Sequence, residues 1–175
     1  MKETTVPSIK KIIITYGLVL GVLDVIFKIT TYSTDKIFSK NLIIPLINLF
    51  ILIFVIIYGI YKYKLSNKGF LKLSQALKIG IGIALISGIV IFIWFFSLLN
   101  FIDPEIHNQF IQAGLKSGMS VNPDMSQEEI EKSLRIAETF NSSYMKTAFS
   151  TVSNLLFGSI ISLIGGVIMH KKRVL

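Results

Sequence analysis

Four long apolar stretches, separated by connections rich in lysine, decide what this chain can fold into. A helix needs about 20 mostly apolar residues to cross a hydrocarbon core about 30 Å thick. Residues 12–32, 42–61, 76–101 and 148–169 each meet that length. In lipid every backbone N–H and C=O must be paired within the protein, and a helix does this inside one segment. The sequence therefore predicts an all-α fold, an integral membrane four-helix bundle that forms a single membrane domain over residues 1–175.

Composition points the same way. Hydrophobic residues make up 52% of the chain and charged residues 16%, with a mean hydropathy of +0.67. A soluble domain carries about 25% charged residues, so this one lacks the polar surface to solvate a globule. The net charge of +8 does not imply nucleic acid, because the basic residues flank apolar blocks instead of striping a polar helix. The absence of cysteine removes disulfides and thiolate chemistry. The first stretch is too long for a signal peptide and no small-residue cleavage site follows it, so it reads as a retained anchor.

Lysine placement orients the spans, since short cytoplasmic connections collect Lys and Arg. Lys2, Lys10 and Lys11 precede the first span, and Lys62, Lys64, Lys68 and Lys72 fill the second connection, with Lys78 just inside the third span. His170, Lys171, Lys172 and Arg173 follow the fourth. These three regions share one face in any four-span topology. The other face has Lys36 and Lys40 with Asp35, then a long connection in which seven acids outnumber Lys116, Lys132, Arg135 and Lys146. Both termini are therefore expected in the cytoplasm.

The long connection, residues 103–144, is expected to hold an extracytoplasmic helical hairpin. Asp103-Pro104 is a helix start, with Asp as N-cap and Pro at the first helical position, and Gly118 is the expected stop. A turn is expected through Asn122-Pro123-Asp124. Ser126 and Glu129 then form a capping box, with Met125 and Ile130 placed for a hydrophobic staple. A break before the fourth span is expected at Asn141-Ser142-Ser143, and Ser74 is a candidate cap for the third span.

Lipid tails compete with leucine for apolar contact, so spans associate through small residues that let backbones approach. The first span carries Gly17 and Gly21. The third carries Ala76, Gly80, Ala84 and Gly88, and the fourth Ser150, Asn154, Gly158, Ser162 and Gly166, each at four-residue spacing. These grooves are expected to face protein, either another span or a second copy. The second span lacks such a stripe and is expected to be the most lipid-exposed, with Tyr58, Tyr61 and Tyr63 in an interfacial belt.

Asp24 and Lys28 stand four residues apart within the first span. An ionisable residue there costs about 2.5–3.5 kcal/mol to insert at mid-bilayer, which makes it a candidate functional site. The plainer reading is a structural ion pair, with Lys28 reaching outward to the interface. His107 and His170 lie at opposite ends of the chain's topology, and the acids Glu128, Glu129 and Glu131 complement a helix N-terminus. Nothing in the sequence marks a catalytic, metal or cofactor site.

Three segments carry a family resemblance: Lys72-Leu73-Ser74-Gln75-Ala76-Leu77-Lys78-Ile79-Gly80, Asn100-Phe101-Ile102-Asp103-Pro104-Glu105, and Met125-Ser126-Gln127-Glu128-Glu129-Ile130-Glu131. Together they resemble the domain of unknown function 4199 family, bacterial four-span membrane proteins with a helical insert before the last span. The resemblance implies the bacterial cytoplasmic membrane and transfers no activity; Asp24 and Lys28 lie outside the segments that carry it. The function expected from all this is a non-enzymatic helix-packing or interaction protein, an accessory subunit working in the bilayer as a homo-oligomer or with an unidentified membrane partner. The alternative is an oligomeric small-solute or ion carrier using Asp24 and Lys28, against which stands the lack of broken helices and inverted repeats.

Overall fold

In the computed structural model, residues 8–34, 36, 41–121, 126–141 and 143–171 are described. Six helices follow in order: α1 (Ile9–Ser33), α2 (Ile43–Ser66), α3 (Leu73–Ser97), α4 (Ile106–Val121), α5 (Gln127–Asn141) and α6 (Ser143–Met169). A single π-helical turn, Leu98–Ile102, extends α3. Among the described residues four segments are long and apolar enough to cross a membrane: Ile9–Ser33, Ile43–Ser66, Leu73–Ile102 and Ala148–Met169.

α3 is the axis of the bundle. Of its most apolar window 39% is enclosed by protein, against 28% for each of the other three. By this measure α2, expected to be the most lipid-exposed, is enclosed to the same degree as α1 and α6. Its Gly59 is buried and takes in the side chains of Ile83 and Tyr16. Tyr63 also departs from the interfacial belt: it is buried, and its hydroxyl accepts a hydrogen bond from Gln75 at 3.1 Å. Tyr58 and Tyr61 are exposed.

The glycines fix how the helices run. Ile13 of α1 fits against Gly82 of α3, and Gly17 and Gly21 receive Ile86 and Val90 at the same offset, so α1 and α3 are parallel. Gly166 meets Ala76, Ser162 meets Gly80 and Gly158 meets Ala84, the numbers falling in α6 as they rise in α3. These two helices are antiparallel. Their contact is close enough for backbone to meet backbone, which is what small-residue stripes allow.

One end of the bundle gathers Lys10, Lys11, Lys62, Lys64, Lys68, Lys72, Lys78 and Lys171; we term it the lysine-rich end. Its α2–α3 turn places Lys68 (φ 56) and Gly69 (φ 80) in left-handed conformations, the second of which glycine adopts without penalty. Leu71 then pairs with Lys171 through reciprocal backbone hydrogen bonds of 3.0 and 3.1 Å. The cap of α3 lies at Lys72, whose N–H donates to Gln75 Oε1 at 2.9 Å, so Ser74 sits within the first helical turn and is not the cap.

The opposite end carries α4 and α5, which pack on each other. Asp103 Oδ1 accepts the Ile106 N–H at 3.1 Å and starts α4. That helix runs through Gly118 to Val121, correcting the expected stop, since one interior glycine costs only about 1 kcal/mol. Ser126 and Glu129 close a reciprocal capping box at the start of α5. α5 ends at Asn141 and α6 begins at Ser143. The turn at residues 122–124, Met125, Ser142, and the terminal and loop charges Lys2, Asp35, Lys40, Lys172 and Arg173 fall outside the described residues.

Candidate functional site

One face of α1 changes character along its length. At the helical spacing of three and four, Gly17, Gly21, Asp24, Lys28 and Tyr32 follow one another along it. The two glycines let α1 close onto α3. Beyond them the side chains turn polar. Asp24 is only 2% exposed, and its Oδ1 has no hydrogen-bond partner. One turn on, the Lys28 ammonium lies 5.5 Å from the centre of the Phe95 ring, a cation–π contact with α3. A further turn on, the Tyr32 hydroxyl donates to Asp103 Oδ2 at 3.0 Å. The face closes on an aromatic and aliphatic plug in which Leu98, Leu99 and Ile106 are buried against Tyr32, Trp94, Phe95 and Phe110.

α2 stands away from its neighbours at this end. Its buried residues begin at Leu52, and none of Leu42 to Leu49 is buried. Pro45 falls in the first helical turn, where a missing N–H is no loss. The gap leaves a cavity of about 330 Å³ between α1, α2, α3 and the start of α4, with Phe27, Lys28, Thr31 and Lys36 on one side, Ile44, Pro45 and Asn48 on another, and Trp94, Phe95 and Phe110 closing it. The Lys36 N–H bonds back to the Thr31 carbonyl at 2.9 Å, which folds the chain over the end of α1 and brings Lys36 to this cavity.

A second crevice, about 560 Å³, lies on the other side of α2, against α6. Leu46, Leu49, Leu52, Phe149 and Phe157 make it apolar, and Asn48, Ser150, Ser153 and Asn154 supply its polar atoms. Pro45 and Asn48 border both spaces. Asn48 Oδ1 is buried without a hydrogen-bond partner, like Asp24 Oδ1. Buried acceptors of this kind are few in folded proteins, and each calls for a reason such as a ligand or ion.

The residues singled out from sequence thus divide. Gly17, Gly21, Ala76, Gly80, Ala84, Gly88, Gly158, Ser162 and Gly166 are buried in the α1–α3 and α3–α6 seams of the chain itself. Ser150 and Asn154, from the same stripe as Gly158, line the α2–α6 crevice instead. Asp24 and Lys28 lie one turn apart at the hairpin end, the first enclosed and the second at a cavity wall. Asn48 and Lys36 were not joined to them by sequence reasoning. The signal was there for Asn48: across the α1–α2 connection, Lys28 and Asn48 are equidistant from residue 38, so two antiparallel helices bring them to one depth.

A cation, an acceptor amide, hydroxyls and aromatic walls around an open volume make a site suited to binding. Helices long and apolar enough to cross a membrane, joined through α3 and parted around such a cavity, define a multi-pass membrane protein of helix-bundle type. The chain belongs to the family described as a protein of unknown function, DUF4199, which it matches over residues 15–171. No curated protein and no solved structure matches it.

Proposed function

We propose that this chain is a non-enzymatic protein of the bacterial cytoplasmic membrane that works by binding a small or amphipathic ligand between its helices. The observation that carries this reading is Asn48, whose buried Oδ1 lacks a partner on a helix edge shared by two cavities. In this reading the lysine-rich end is cytoplasmic by the positive-inside rule, which places both ends of the bundle chain on that side. The α4–α5 hairpin and the mouth of the cavity then face the outside. Assembly with further copies loses its main motive, because the small-residue seams are filled by α1, α3 and α6 of the same chain.

The test is to purify the protein gently and identify by mass spectrometry what remains bound. Ser153→Trp, which fills the α2–α6 crevice, should release the ligand while the fold persists by circular dichroism. Identical bound content in wild type and variant would count against the cavity as the working site.

A carrier role is the second reading, favoured by one observation: Asp24, within α1, is 2% exposed with an unpartnered oxygen. Flux of protons or ions into proteoliposomes, lost in Asp24→Asn at unchanged expression, would support it. Absence of flux under every gradient tried would retire it.

A further inference from the structure

Resting on the binding role proposed above, we infer that the paired cavities hold one anionic phospholipid. Its phosphodiester sits between Lys28 and Lys36, and one acyl chain lies in the crevice between α2 and α6.

Charge is the first argument. Among the described residues, both charged side chains that line the α1-side cavity are lysines and none is a carboxylate. Asp24, a turn deeper, is enclosed and borders neither cavity. Lys28 lies within a membrane-crossing helix, where an ammonium is poorly hydrated and an anion is attracted more strongly than in water. The Phe95 ring lies against the ammonium, and both residues line the cavity.

Placement is the second. Leu46 and Phe157, on facing walls of the α2–α6 crevice, are exposed on the apolar outer surface of the bundle. The crevice is therefore open sideways at membrane depth, and a chain enters it by lateral diffusion. A soluble anion gains nothing from such an arm, whereas an acyl chain gains apolar burial along Leu49 and Leu52.

The junction is the third. Pro45 and Asn48 border both spaces, so headgroup and chain meet at this edge of α2. The Asn48 side chain lines both spaces, and turning its amide toward a bound headgroup would give the covered Oδ1 the hydroxyl donor that it lacks.

The experiment uses the full chain, delipidated in detergent and titrated with dioleoyl phosphatidylglycerol, dioleoyl phosphatidylcholine or glycerol 1-phosphate. Native mass spectrometry reads occupancy and the thermal midpoint reads stabilisation. One phosphatidylglycerol per chain is expected, with a raised midpoint. Phosphatidylcholine should bind at least about tenfold more weakly, as should phosphatidylglycerol to Lys36→Gln or Lys28→Gln, a loss typical of one charge-assisted hydrogen bond. Lys36 is exposed, so its variant leaves the fold untouched, and Lys28→Arg should restore binding. Equal retention of both lipids, or undiminished binding by both Gln variants, overturns the anionic assignment while leaving a lipid cavity standing. Glycerol 1-phosphate binding as tightly as the whole lipid overturns the acyl arm. No retention of any probe, with Ser153→Trp indistinguishable from wild type, removes the binding role as well.

Discussion

The backbones of Gly80 and Gly158 approach so closely that a Cβ on residue 80 would lie 3.1 Å from the Gly158 carbonyl oxygen. The Ser162 side chain meets the same position. At Gly88, further along the same seam, the nearest atom is 3.1 Å away but belongs to the Thr151 side chain. A side chain can rotate aside, and a helix carbonyl cannot. Gly80→Ala should cost about 1–3 kcal/mol, the usual range for overpacking, and Gly88→Ala distinctly less. Leucine at either place should prevent α6 from docking. Thermal midpoints in one detergent check this, and equal midpoints for Gly80→Leu and wild type would refute the seam.

Asp103 ties three pieces of chain together, accepting from Tyr32 with one oxygen and from the Ile106 N–H with the other. Tyr32→Phe removes one hydrogen bond and should cost about 0.5–1.5 kcal/mol. Asp103→Ala removes both, including the cap of α4, and should cost more, about 1–3 kcal/mol together. Hydrogen exchange should show the first turn of α4 opening in the second variant far more than in the first.

The α5 cap makes a pH prediction. The Ser126 N–H and hydroxyl donate to the Glu129 carboxylate at 2.8 and 2.9 Å, which holds its pKa below the ordinary 4.5. A carboxyl depressed on folding binds fewer protons folded than unfolded, so its contribution is present above pH 4.5 and lost as pH falls through the lowered value. Protection factors of the first α5 amides should drop across that acid range. Glu129→Gln should flatten the profile.

For Asp24 and Lys28 the informative quantity is their coupling. Lys28→Met alone leaves a buried carboxyl with no cation near it, and it should destabilise the bundle. Adding Asp24→Asn should recover about 0.5–3 kcal/mol, the range seen for neighbouring groups that interact. Asp24→Asn alone completes the cycle, and a double variant whose loss equals the sum of the two single losses would show that the residues act independently.

Much of this architecture is legible in the residues. Span lengths, the Ser126–Glu129 box and the Asp103 start depend on local rules, and local rules survive into the bundle. What was not legible depends on partners. Gly17 and Gly21 accept Ile86 and Val90, large residues that no small-residue pattern on α3 announces. Tyr63 looks interfacial by position, yet Gln75 from the next helix takes its hydroxyl inward. The parting of α2 from its neighbours is barely marked in sequence, because apart from Pro45 and Asn48 the residues from Leu42 to Leu49 are as apolar as residues that pack. The cavity is a consequence of tertiary arrangement, and only Asn48 hinted at it.

The reciprocal pairing of Leu71 with Lys171 bears on how the molecule is made. Because α6 is made last, the strip of α3 from Ala76 to Gly88 has no α6 partner until the end of synthesis. The α2–α3 turn meanwhile keeps an unclaimed N–H and C=O. Both defects are cured by the same late arrival, α6 followed by Lys171. A chain lacking α6 would therefore leave both the notched strip of α3 and the Leu71 backbone without the partners that they have in the bundle.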